Sequence, residues 1–137
     1  MCSKQSREKP STMGKKELIA KKLIGTWKGQ DHRGKEGIMI LNENKTAKFI
    51  IGNKVFGPDK RLGMGISWEI DTTYHPTRLK IIATSSYIED DLFMAMIMRF
   101  KQNNQLQLRL SEKSIDTFPS KFTNDEKDIN QMTLIRQ

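Results

Sequence analysis

With 137 residues, 36% of them hydrophobic, the chain is long enough for one domain with its own core, and its single cysteine excludes an internal disulfide. The net charge of +8 sits mostly at the front: residues 1–24 carry seven basic and two acidic side chains, residues 25–137 carry 17 and 14. A nucleic-acid binder would set its basic residues on the fold among exposed aromatics, so nucleic acid is not an expected partner, and no apolar run reaches transmembrane length.

Residues 1–13 are rich in Lys, Ser, Glu and Gln, the composition of a flexible polar leader or tether, and too polar for a signal peptide. Cys2-Ser3-Lys4-Gln5-Ser6 resembles the start of a mature bacterial lipoprotein, in which a cysteine exposed by signal cleavage is acylated. On that reading Cys2 is a lipid attachment point and the protein sits in the cell envelope. The alternative is an ordinary cysteine in a polar tail of a cytoplasmic protein. Residues 14–137 then form the folded domain.

Residues 15–24 place apolar side chains at 18, 19, 20, 23 and 24 with lysines opposite, which predicts a short amphipathic helix ended by Gly25. Its expected place is over one end of the fold. After Gly25 the hydrophobic period changes from 3.6 to 2. Strands are predicted at 25–31, 36–43, 46–52, 64–71, 78–87, 92–101, 105–112 and 129–136, separated by recognisable turn chemistry. Eight short strands in a meander predict an all-β, eight-stranded antiparallel up-and-down barrel. Residues 53–63 read as a glycine-rich basic loop, and 113–128 as a polar segment whose Phe118 and Phe122 tuck onto the barrel.

One hairpin can be argued to its register. Met94, Met96, Met98 and Phe100 share a face, as do Leu106, Leu108 and Leu110 on the next strand. These faces meet if Phe100 pairs with Leu106 and Met98 with Leu108, which favours a three-residue loop at 102–104. Arg99, Gln107 and Arg109 then point outward, where the arginines read as solubilising charges.

No catalytic or metal constellation emerges. His32 and His75 sit singly in turns, and no serine or cysteine lies in a nucleophile elbow. Glu89-Asp90-Asp91 lacks the spaced oxygen ligands of a calcium loop. Neither a cofactor nor a metal is expected, and an enzyme is the minority reading. A hydrolase or isomerase would need titratable groups in the lumen, and Arg99, Arg109 and Glu69 are the charged side chains near mid-strand.

The clearest motifs lie at the two ends of the domain. Gly25-Thr26-Trp27 opens the first strand, and Thr133-Leu134-Ile135-Arg136 closes the last. Together with Trp68-Glu69-Ile70-Asp71 and Phe118-Pro119-Ser120-Lys121-Phe122, they resemble bacterial lipocalin-like domains of the calycin superfamily. The resemblance implies that Gly25, Trp27 and Arg136 form the structural motif, Trp27 closing the barrel floor with Arg136 over its indole. It also implies a non-enzymatic module that binds a small hydrophobic or amphipathic ligand. Ile66, Trp68, Met96, Met98 and Leu108 are the candidate lumen residues. The alternative is a barrel filled by its own side chains, acting as a protein-interaction or scaffold domain through the 53–63 loop or the outer arginines.

Overall fold

The structure, a computed structural model, describes residues 14–30, 34–58, 63–85, 91–111, 117–125 and 127–137. Cys2, the rest of the 1–13 leader and His32 lie outside the described residues. One helix, α1 (Lys15–Leu23), precedes the strands β1 (Gly25–Gln30), β2 (Glu36–Leu41), β3 (Ala47–Ile51), β4 (Lys54–Phe56) and β5 (Met64–Asp71). Then follow β6 (Thr77–Ser85), β7 (Asp91–Gln102), β8 (Gln105–Leu110) and β9 (Gln131–Arg136). They form one sheet in the order β4-β3-β2-β1-β9-β8-β7-β6-β5, antiparallel throughout. Pairing of the first strand with the last curls this meander into a nearly closed barrel.

The inward positions alternate along every strand, as half-buried strands require. Met39, Leu41, Phe49, Ile66, Trp68, Ile70, Leu79, Ile81, Met96, Met98, Leu106, Leu108 and Leu134 build a single core with Trp27. At one end α1 adds Ala20 and Leu23 to that core, the capping position expected for it. The helix stops where the Ile24 N–H donates to the Ala20 carbonyl at 3.2 Å. Gly25 follows with φ +140, a conformation that L side chains rarely adopt.

The expected eight strands become nine. β4 lies inside the segment read as a loop, and pairs Phe56 with Phe49 and Lys54 with Ile51. Three residues are too few to display a period of 2, so only the neighbouring β3 reveals this strand. The β7–β8 register matches the buried-face argument, with Phe100 opposite Leu106 and Met98 opposite Leu108. The predicted three-residue loop does not form. Gln102 pairs with Gln105 across Asn103-Asn104, and a bulge between Phe100 and Gln102 absorbs the extra residue. A bulge changes the parity of the ladder without turning the methionine face outward.

The outer arginines are not merely solubilising. Arg78 of β6 lies between Tyr74, at 3.5 Å, and Phe118, at 4.4 Å. Arg99 of β7 lies 4.2 Å from the Phe122 ring. Arg109 of β8 donates to the Lys121 carbonyl at 2.7 Å and to the Asp128 carboxylate at 3.1 Å. Three adjacent strands thereby hold Phe118, Lys121, Phe122 and Asp128 against the barrel wall, which gives Phe118 and Phe122 the placement their apolar rings demand.

Candidate functional site

β1, β9 and α1 are joined by the Gly-x-Trp motif. The Trp27 indole N–H donates to the Leu23 carbonyl at 2.9 Å, and Trp27 is fully buried. Arg136 lies 4.3 Å from the Trp27 ring, and its Nη1 donates to the Ile24 carbonyl at 3.0 Å. A side chain at Gly25 would meet that same Nη1 at 2.9 Å. Gly25, Trp27 and Arg136 therefore form one contact group, and it seals the helix end of the barrel.

The opposite end holds a partly open apolar cavity of about 120 Å³. Its wall includes Met39, Met94, Met96 and Met132, with Phe49, Leu108, Leu110 and Leu134 between them. Lys35, with Glu36 and Gly37 at the start of β2, forms part of its rim. Glu36 is paired with Lys28 at 3.2 Å, an exposed bridge that contributes little to stability.

All five lumen candidates are buried in the common core. Met96 and Leu108 line the cavity. Ile66, Trp68 and Met98 pack elsewhere in the barrel interior and are not part of its wall. Met39, Met132 and Leu134 were not singled out from the sequence, although each occupies an inward position of its strand. Their common location depends on the long-range pairings β1–β2, β1–β9 and β8–β9.

Trp68 has a different task. β4 and β5 are the two edges of the sheet and do not pair, so the barrel has a seam. The turn between β2 and β3 crosses it: Thr46 bridges Ser67, and the Trp68 backbone N–H donates to the Lys45 carbonyl at 2.9 Å. The Trp68 indole N–H donates to the Asn42 carbonyl at 3.0 Å, and the Lys45 ammonium lies 4.2 Å from the ring. Lys45 adopts a left-handed φ of 74 to make this approach. Trp68 thereby fastens the seam.

The titratable groups considered for lumen chemistry are elsewhere. Arg99 and Arg109 hold the outer segment, and the exposed Glu69 faces Lys80 across β5–β6 at 3.9 Å. Asp71, after which the β5–β6 turn begins, is held below the ordinary aspartate range. The Thr73 hydroxyl is the largest cause and the Thr73 N–H the second, with Lys80 and Arg78 adding smaller attractions. Among the described residues no group of three His, Cys, Asp or Glu side chains is placed to hold a metal ion. Comparison with protein families, characterised proteins and solved structures gives no match.

Proposed function

We propose that the protein is a lipocalin-like barrel that binds a small apolar group at the end of the lumen opposite α1. The observation that carries this reading is the methionine-lined cavity of about 120 Å³. Methionine is flexible and polarizable, so four of them make a wall that adapts to a ligand's shape. An engineered apolar cavity of about 150 Å³ is enough to stay dry and take up benzene. The space therefore suits a single ring or the end of an alkyl chain, and the remainder of an amphipathic ligand would extend through the mouth past Lys35 and Glu36.

A filled interaction barrel is the second reading. The packing of Ile66, Trp68 and Met98 into the core favours it, since much of the interior is already occupied. Titration of methyl-labelled protein with benzene and with octanoate separates the two. Saturable shifts of the Met39, Met94, Met96 and Met132 methyl signals are expected. Methyl signals unmoved by either probe would leave the filled barrel standing.

The envelope location is a separate part of the proposal and rests on Cys2-Ser3-Lys4-Gln5-Ser6. The intact mass of protein from its native host tests it. A covalent diacylglycerol-type increment on Cys2 is expected, and an unmodified cysteine would sink the tether.

A further inference from the structure

On the outside of the barrel lies a polar groove of about 460 Å³, with Met132 lining both it and the apolar cavity. One wall is a row of side chains that strand pairing assembles from distant parts of the chain. Arg99 of β7 stands opposite Gln107 of β8, and Gln107 stands opposite Thr133 of β9. Gly29 of β1 pairs with Leu134, and one step along that register sets Gln30 beside Thr133. All four face outward, because Met98, Leu106, Leu108 and Leu134 beside them face the core. All four line the groove, together with Lys101.

The second wall is the 123–125 loop, and it is preformed. Gln131 accepts the Thr123 N–H at 2.8 Å and donates to the Thr123 carbonyl at 2.7 Å. The Thr123 hydroxyl accepts the Asp125 N–H at 3.1 Å, and Asp125 accepts the Lys127 N–H at 2.9 Å. Asp125, the one carboxylate lining the groove among the described residues, is thus engaged in its own turn.

Packing on Phe122 accounts for the guanidinium face of Arg99 but not for its charge. Its neighbour Arg109 has a carboxylate partner, whereas Arg99 among the described residues has only neutral ones. Its Nε donates to the side-chain amide oxygen of Gln107 at 2.7 Å, and its face lies on Phe122. Two contacts fix the guanidinium plane while its Nη groups make no bond among the described residues. Lys101 likewise makes no polar contact there. A guanidinium held in place, without an anion, in a polar concavity is arranged for bidentate recognition of a carboxylate. Amides and hydroxyls in a row, each able to donate and accept, suit a ligand with many hydroxyl groups. The volume lies within the roughly 300–1,000 Å³ usual for small-molecule sites.

We propose that this groove binds an acidic saccharide, its carboxylate held by Arg99 and Lys101 and its hydroxyls by Gln30, Gln107 and Thr133. The test is a titration of isotope-labelled full-length chain, followed at the Arg99 Nε–H and the side-chain amides of Gln30 and Gln107. The probes are glucuronate, glucose and inorganic phosphate. Glucuronate is expected to shift all three signals saturably, with glucose at least about tenfold weaker, as loss of a charged hydrogen bond implies. Arg99→Gln is expected to weaken glucuronate by a similar factor, and Arg99→Lys to restore only part of it.

Because Arg99 also rests on Phe122, Lys101→Gln serves as the second variant. It is expected to weaken glucuronate several-fold with the Phe122 and Thr123 signals unchanged. Equal responses to glucose and glucuronate, or no saturable shift at Arg99, would overturn the proposal. So would phosphate binding as tightly as glucuronate without moving the Gln30 amide, which would leave a simple anion site.

Discussion

Arg136, at the end of β9, covers the Trp27 ring of β1 at 4.3 Å and ties the helix to the barrel through the Ile24 and Lys22 carbonyls. One side chain thereby joins α1, the first strand and the last. Replacing it by alanine removes a cation–π contact and two charged hydrogen bonds, so Arg136→Ala is expected to cost about 2–3 kcal/mol. Arg136→Lys keeps the charge but not the planar fork, and should recover only part of that. Denaturant midpoints of the three proteins check this, and an Arg136→Lys as stable as wild type would refute the fork's role.

Gly29 is the tightest point of the β1–β9 closure. A Cβ there would lie 2.5 Å from Leu134 Cδ2 and 2.7 Å from the Thr133 carbonyl oxygen. Part of that clash is with backbone, so Gly29→Ala is expected to destabilise by about 1–3 kcal/mol. Thermal unfolding measures it, and the amides of β1 and β9 should exchange faster than those of β5 and β6.

At the seam, Trp68→Phe keeps most of the ring but leaves the Asn42 carbonyl without its indole donor. A loss of about 1 kcal/mol is expected, against about 3–5 for Trp68→Ala. Hydrogen exchange should quicken at the Trp68 amide, which bonds Lys45, before it quickens elsewhere.

Met96 is buried and lines the apolar cavity. Met96→Ala enlarges that space, so it should cost about 2–5 kcal/mol of stability. If the cavity binds apolar groups, the same variant should take up benzene or xenon more readily than wild type. Lower uptake would mean that the barrel collapses around the vacancy.

The Asp71 carboxyl, bonded by Thr73, has its pKa lowered by folding. The folded state thus favours the carboxylate, and the stabilisation is present above the unfolded pKa and lost as pH falls through the folded one. Wild type should exceed Asp71→Asn in stability at neutral pH, and the gap should close in acid, below the ordinary aspartate range. Urea midpoints across that range test it, and a pH-independent gap would contradict the assignment.

Local pattern made much of the fold legible. The lysine-backed stripe at 18, 19, 20, 23 and 24 gave α1, and period-2 alternation gave every strand except β4. The methionine and leucine faces set the β7–β8 register even though the turn between them has two residues and not three, because burial sets pairing and a bulge can absorb a residue. The site was less legible. Trp68 reads as an inward aromatic in a strand, and nothing near it in sequence reveals that its indole reaches Asn42.

Periodicity along the chain sets which faces are buried, and hence the strands and the capping helix, whereas the pairing of Trp27 with Arg136 is what the resemblance to lipocalin-like domains implies. Packing in three dimensions settled which inward side chains fill the lumen and which leave the methionine cavity. It also decided that Gln30, Thr133, Gln107 and Arg99 stand in one outer row. A cavity is what remains after many side chains have packed, and a cross-strand row is set by pairings between distant segments. Neither quantity exists in any single stretch of the chain.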